Sequence, residues 1–314
     1  MALYLSGFMK VHYHLENLPE FRRAVITIGT FDGVHKGHQT IIDAVLNQAK
    51  KVDGESILIT FHPHPRKIVQ PESSLQLINT LEEKISLLDK KGLSHLVIVP
   101  FTAEFSNQSP EDYIKDFLIK KFNPHSIIIG YDHHFGKERK GNYLLLEDQK
   151  SLWGYELIEI PKHVLDEIDI SSTKIRKALK NSEIESANRL LGYDFFFTGK
   201  VIHGDKLGRI LGYPTANLEY TDEDKIRLGD GVYAAYVSVA NETKKGMLSI
   251  GNRLTLADNS PKVEINIFDF DSNIYDLEII ITVHSYLRAQ AKFETLEDLK
   301  NQLEVDKNNA LAVL

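Results

Sequence analysis

The segment Gly29-Thr30-Phe31-Asp32-Gly33-Val34-His35-Lys36-Gly37-His38 sets two histidines three residues apart, between a short apolar run and a helical stretch. A strand-to-helix turn of this kind offers free backbone amides and the positive end of a helix dipole, which together accept an anion. Gly33 and Gly37 let backbone approach a phosphate closely. His35 and His38 add donors able to neutralise charge on a phosphoryl oxygen. A structural turn whose histidines merely cap the helix would show the same pattern. Further on, Ile170-Ser171-Ser172-Thr173-Lys174-Ile175-Arg176 places three hydroxyls at another helix start with cations on the next turn. Capping and phosphate binding use the same groups there, so the two readings are compatible. Between these lies the polar loop Gly130–Gly141, which contains Asp132, His133 and His134.

A second constellation occupies Gly199–Asn217, where four glycines and one proline fall within nineteen residues. That density suits a close-fitting loop over phosphates better than a regular strand, and equally suits a Gly-rich barrel corner. Thr215 and Asn217 project to one side if the segment is extended, and both carry oxygens that a hard cation such as Mg²⁺ accepts. Downstream, Glu264 alternates with apolar neighbours. It is a general base if it faces a pocket and a solvated strand residue if it does not.

The elements that must position these residues change character along the chain. In the first half, apolar runs at Ala24–Gly29, Ser56–Thr60, Leu96–Val99, Ser126–Gly130 and Glu156–Ile160 alternate with helical stretches at about Gln39–Lys50, from Leu81 and over Tyr113–Lys121. Buried runs alternating with helices predict an α/β domain with a parallel sheet covered on both faces. Ligands bind such sheets beyond the carboxyl ends of the strands. After a connecting helix that Gly192 ends, the pattern becomes strand-like at Phe195–Ile202, Val232–Val239, Met247–Ile250, Val263–Phe268 and Tyr275–Val283. A small barrel or sandwich is expected there, followed by a last helix with Leu296, Leu299 and Leu303 on one stripe.

Composition narrows the classes. The 314 residues carry 37 Lys+Arg against 44 Asp+Glu, a net charge of −7, which argues against a nucleic-acid footprint. Cysteine is absent, which excludes disulfides, thiolate metal sites and a Cys nucleophile. The start resembles no secretory signal and no apolar run approaches a membrane span, so a cytoplasmic protein with small ligands is expected. Thirteen histidines do not by themselves make a zinc site, which needs three or four converging ligands. Neither a Walker A pattern nor Gly-x-Gly-x-x-Gly occurs.

The segments Gly29–Gln39, Phe61-His62-Pro63-His64-Pro65, Gly130–Gly141 and Ile170–Arg176 resemble the adenylyltransferase module of the prokaryotic bifunctional riboflavin kinase/FAD synthetases. The stretch through Pro214-Thr215-Ala216-Asn217, then Gly231-Val232-Tyr233, Ile250-Gly251-Asn252, Val263-Glu264, Phe268-Asp269-Phe270 and Leu287-Arg288 resembles their riboflavin kinase module. The resemblance implies a Rossmann-like nucleotidyltransferase domain with a parallel sheet at 1–184, and a six-stranded antiparallel β-barrel at 185–314. It implies FMN formation from riboflavin and ATP in the barrel, and FAD formation from FMN and ATP in the first domain. Each half would use Mg²⁺, with no nucleic-acid or membrane partner.

For the residues, the resemblance implies that His35 and His38 stabilise the α-phosphate, while Gly29, Phe31, Asp32 and Gly37 line the nucleotide. Ser171, Ser172, Thr173 and Arg176 would hold the departing pyrophosphate, with His64 and Asp132 near the flavin phosphate or nucleotide. In the barrel it implies Glu264 as base and Thr215 and Asn217 as holders of Mg²⁺ and ATP. Gly204, Lys206 and Gly208 would wrap the nucleotide, and Arg288 would lie near the flavin. Two departures stand out: Arg253-Leu254-Thr255 replaces a usual Arg-Pro-Thr, and Ile274-Tyr275-Asp276 replaces a usual Leu-Tyr-Gly. An alternative therefore keeps only the adenylyltransferase, with an impaired kinase domain.

Overall fold

A computed structural model describes residues 9–72, 74–162, 170–204, 208, 211–251 and 262–314. It separates into two compact units, one running through Leu75 and again over Leu81–Ser171, the other formed by Gln76–Thr80 and Ser172–Leu314.

The first unit is a six-stranded, all-parallel sheet in the order β1-β4-β3-β2-β5-β6. The strands are β1 (Lys10–His12), β2 (Val25–Ile28), β3 (Ser56–His62), β4 (His95–Pro100), β5 (Ser126–Gly130) and β6 (Glu156–Ile160). β2 and β5 are buried along their whole length, the signature of central strands covered on both faces. Alternate side chains divide between two cores. Ile26, Ile28, Ile57, Ile59, Ile127 and Ile129 pack with Tyr113, Ile114, Phe117, Leu118 and Phe122. Val25, Leu58, Leu96 and Ile128 pack with Ile42, Val45 and Ala49 of α1 (Lys36–Lys51) and Ile85 and Leu88 of α3 (Leu81–Asp89). A short α2 (Pro65–Val69) precedes α3, and α4 (Tyr143–Trp153) lies between β5 and β6.

Two details differ from the sequence expectation. β1, the edge strand, has only three residues, too short to show any period. The helix expected over Tyr113–Lys121 starts as foreseen, with Ser109 accepting the Asp112 N–H and Pro110 in the first turn. It then winds as a π-helix over Tyr113–Ile119.

The second unit is a closed antiparallel barrel in the order β10-β11-β8-β7-β12-β9. Its strands are β7 (Phe196–Ile202), β8 (Thr215–Tyr220), β9 (Gly231–Val239), β10 (Glu242–Gly251), β11 (Lys262–Ile267) and β12 (Glu278–Arg288). β8 corrects the expectation of a loop: the Gly-rich stretch becomes regular strand from Thr215, where the glycines end and the chain gains partners in β7 and β11. α5 (Ser172–Lys180) and α6 (Ile184–Leu191) precede the barrel, and Gly192 ends α6 at φ 81°. The segment 76–80 is seated on this unit, with Leu77 bonded to Asp224 and Ile226 and the buried Lys225 ammonium donating to the Ile78 carbonyl at 2.7 Å. α7 (Leu296–Val313) packs through Leu303 and Ala310 against Ala234, Met247 and Phe268. Its buried seam includes Asp306, whereas Leu296, expected on the stripe, is exposed in the first turn. Among the described residues, no helix is long and apolar enough to cross a membrane.

Candidate active sites

The strand order reverses at β2, with β3 on one side and β5 on the other, so the crevice beyond the carboxyl ends of β2 and β5 is the topological switch point. The two loops singled out in the sequence, Gly29–His38 and Gly130–Gly141, leave these neighbouring strands at that edge.

After β2 the chain makes a turn that leaves ordinary backbone space, with φ of 46° at Phe31, 90° at Gly33 and 36° at Val34. It delivers His35 to the N-cap of α1, where Nδ1 accepts the His38 backbone N–H at 3.3 Å. The rings of His35 and His38 stack with centroids 3.6 Å apart, and Phe31 lies 5.0 Å from His38. The first turn of α1 contains no acidic residue of its own. Gly37 sits against the His35 ring and Gly29 against Phe31, whose ring a Cβ on Gly29 would meet at 3.0 Å. Asp32 is buried. Burial, helped by His35 and Lys84, holds the His38 imidazole well below the ordinary histidine range, so it is neutral at pH 7. Its Nδ1 is buried without a hydrogen-bond partner, which favours the Nε2–H tautomer.

His64 caps α2 by accepting the Arg66 N–H at 3.1 Å, and Asp132 is exposed in its loop. His133 is half-buried, and desolvation together with His134 and Arg139 lowers it to about 4. α5 opens on Ser172 and Thr173 directly after Ser171, with Arg176 one turn along, as the three-hydroxyl pattern predicts.

In the barrel, Glu264 on β11 lies directly opposite Asn217 on β8, and Asn266 opposite Thr215. Thr215 Oγ1 donates to the Glu264 carboxylate at 3.4 Å. Gly204 and Gly208 lie close against this pair. A Cβ on Gly204 would lie 2.0 Å from the Asn217 amide, and one on Gly208 would lie 3.1 Å from Thr215 Oγ1. A hydroxyl, an amide oxygen and a carboxylate on neighbouring strands are hard oxygen donors that fit a small divalent cation. Among the described residues, no cluster of three His, Asp or Glu has metal-binding geometry. Lys206, Asn252 and Arg253-Leu254-Thr255 lie outside the described residues.

Three residues escaped the sequence reading. Asn266 Nδ2 donates to the Pro214 carbonyl at 2.7 Å, fixing the approach to Thr215; the alternation that marks Glu264 continues to it. Asp306 receives a forked bond from Arg288, at 2.8 Å from Nε and 2.6 Å from Nη2. Arg288 is thus engaged by α7. Lys84 of α3 donates to the Thr30 carbonyl at 2.7 Å. A cleft of about 360 Å³ beside Pro214 is lined by Tyr213, Phe268, Phe270, Lys300 and Lys307.

A switch-point sheet with an anion-accepting helix start, together with a closed barrel that brings Thr215, Asn217 and Glu264 together, is the architecture of a two-domain protein built to handle phosphates. The FAD synthetase family model matches residues 18–174 and the riboflavin kinase family model matches residues 191–314. A bifunctional riboflavin kinase/FMN adenylyltransferase of Buchnera aphidicola is 35% identical, with 95% of this chain and 96% of that protein covered. One from Listeria monocytogenes is 36% identical, with 92% and 91% covered. A crystal structure of a Streptococcus pneumoniae protein described as a macrolide-efflux protein superposes with a TM-score of 0.85 at 29% identity, covering 96% of this chain and 98% of that one. The chain belongs to the bifunctional riboflavin kinase/FMN adenylyltransferase family and is an enzyme with both activities.

Proposed function

We propose that the two activities divide between the two constellations: residues 1–184 make FAD from FMN at the His35/His38 turn, and residues 185–314 make FMN from riboflavin at Glu264. One observation supports this division: each segment matched by a family model contains its own assembled set of phosphate-handling side chains.

At the first site an FMN phosphate oxygen attacks the α-phosphorus of ATP. The bond from that phosphorus to the bridging oxygen breaks, and pyrophosphate leaves. No proton need move, so catalysis is positioning and charge stabilisation. Neutral His38 donates Nε2–H to an α-phosphate oxygen, and the α1 amides of Lys36 and Gly37 face the same charge. Gly29, Phe31, Asp32 and Gly37 shape the nucleotide's seat. Ser171, Ser172, Thr173 and Arg176 are assigned to the pyrophosphate, and His64 and Asp132 to the flavin phosphate or nucleotide.

At the second site Glu264 accepts the proton of the ribityl 5′-hydroxyl as its oxygen attacks the γ-phosphorus, and ADP leaves. Thr215 and Asn217 hold Mg²⁺, which when bound neutralises phosphate charge. Gly204, Lys206 and Gly208 cover the nucleotide. The aromatic-walled cleft beside Pro214 takes the flavin ring. Arg288, which is bonded to Asp306 of α7, is assigned to the neighbourhood of the flavin. The intact Thr215, Asn217 and Glu264 set weighs against an impaired kinase. The substrates are thus ATP, riboflavin and FMN, and the cytoplasm is the compartment this reading assigns.

The test is to incubate the protein with riboflavin and Mg·ATP and separate the flavins over time. FMN should form first and FAD follow. FAD made from supplied FMN, with no product from riboflavin, would remove the kinase half.

A further inference from the structure

Lys84 is buried behind the turn that carries the two histidines, although nothing in its own segment marks it for chemistry. Its ammonium donates to the Thr30 carbonyl at 2.7 Å, and Thr60 Oγ1 donates to the same oxygen at 3.1 Å. Thr30 is the last residue before the run of positive φ at Phe31, Gly33 and Val34. A β-branched Val and a Phe are disfavoured in that region by their own Cβ atoms, so the turn must be held from outside. Two donors from two different elements, α3 and β3, converge on the one carbonyl where the turn begins.

A neutral donor would satisfy a carbonyl at less cost than a buried ammonium, whose desolvation is unfavourable. The charge therefore has a use. Asp32, on the turn, stabilises the cation, and burial brings it to about 8, so it is still charged at neutral pH. Lys84 in turn acts on His38, as His35 does from the N-cap. The positive ends of Lys84 and of the α1 dipole flank the same turn.

We propose that Lys84 is a positioning residue for AMP transfer: it pins the Thr30 carbonyl from which the His35/His38 turn springs and places a fixed positive charge behind that turn. This rests on the assignment of AMP transfer to that turn. The experiment compares Lys84→Met, which loses donor and charge, with Lys84→Gln, which keeps a donor alone, both in the full chain. Riboflavin phosphorylation is the internal reference, and emission from Trp153, the chain's one tryptophan, reports folding of the first unit.

Lys84→Met should lower kcat for FAD formation on the order of 10²-fold with FMN formation unchanged. Lys84→Gln should recover part of that loss. In both variants the acidic limb of the FAD-forming pH profile should move to higher pH, because His38 has lost a neighbouring cation. A Met variant that stays within about twofold of the parent with an unmoved limb overturns the proposal. If the Met variant gives the emission of an unfolded chain, the Gln variant decides: a moved limb supports the role and an unmoved one rejects it. His38→Ala is measured alongside. FAD formation surviving in His38→Ala rejects the assignment of the turn itself, whereas its loss there with none in the Lys84 variants rejects only Lys84.

Discussion

The imidazoles of His35 and His38 lie face to face, 14° from parallel, while His35 Nδ1 accepts the backbone N–H of His38. One histidine is thus spent on closing the helix start, and the other leaves that start with a ring held by stacking. Capping, the plainer interpretation of His-x-Gly-His, holds for His35 Nδ1 and is compatible with the proposed role of both histidines at the α-phosphate.

Replacing His35 with Ala should therefore have two effects. Loss of the N-cap should destabilise the first unit by about 1 kcal/mol, and loss of the stacking partner should lower FAD formation. Thermal unfolding followed by Trp153 emission, together with FAD-forming kcat, measures both; a drop in activity with no stability change would reject the capping role.

Stability of the first unit should fall in mild acid. His12, His38 and His95 are held below the ordinary range chiefly by burial, and His133 is lowered to about 4. In the unfolded chain each titrates near 6.5, so the native state binds fewer protons. Their contribution is complete above about 6.5 and is lost as pH falls through the native values. The Trp153 unfolding midpoint should drop steadily between about pH 7 and 5; a flat profile would contradict the burial argument.

Gly204→Ala would drive a methyl into the Asn217 amide, because the added Cβ would lie 2.0 Å from it. Riboflavin phosphorylation should weaken, with KM for ATP raised, while FAD formation from FMN is untouched. Equal losses in both reactions would show that the loop does not serve the barrel site alone.

Asp306 is almost wholly buried and its charge is matched by the forked contact from Arg288. Arg288→Ala leaves that carboxylate, on the buried face of α7, without a cation and with the Gln302 side chain as its remaining donor. The barrel unit should lose about 3–5 kcal/mol, the usual cost of breaking a buried pair from one side. Chemical denaturation of the variant checks this, and an unchanged midpoint would mean that Arg288 acts on the flavin only.

Much of the fold was legible because its strands announce themselves. Ser126–Gly130 coincides with β5, whose apolar run is buried along its length as a doubly covered strand requires, and Glu156–Ile160 coincides with β6, the part-exposed edge strand. β1 was not legible because three residues carry no period, and β8 was masked by the glycines before it. In the candidate sites, the register brings together Thr215, Asn217 and Glu264, which the sequence had singled out one by one. Lys84, Asn266 and Asp306 were not found. Each acts through a contact far away in sequence, with Thr30, Pro214 and Arg288, and no local pattern encodes such a partner.

The most direct measurement is the flavin product profile of two single variants supplied with riboflavin, FMN and Mg·ATP. His38→Ala should lose FAD formation by 10²-fold or more, on the order seen when a charge-stabilising donor is removed, and still convert riboflavin to FMN. Glu264→Ala should stop FMN formation and still convert supplied FMN to FAD. If either folded variant loses both reactions together, the two activities do not reside at separate sites.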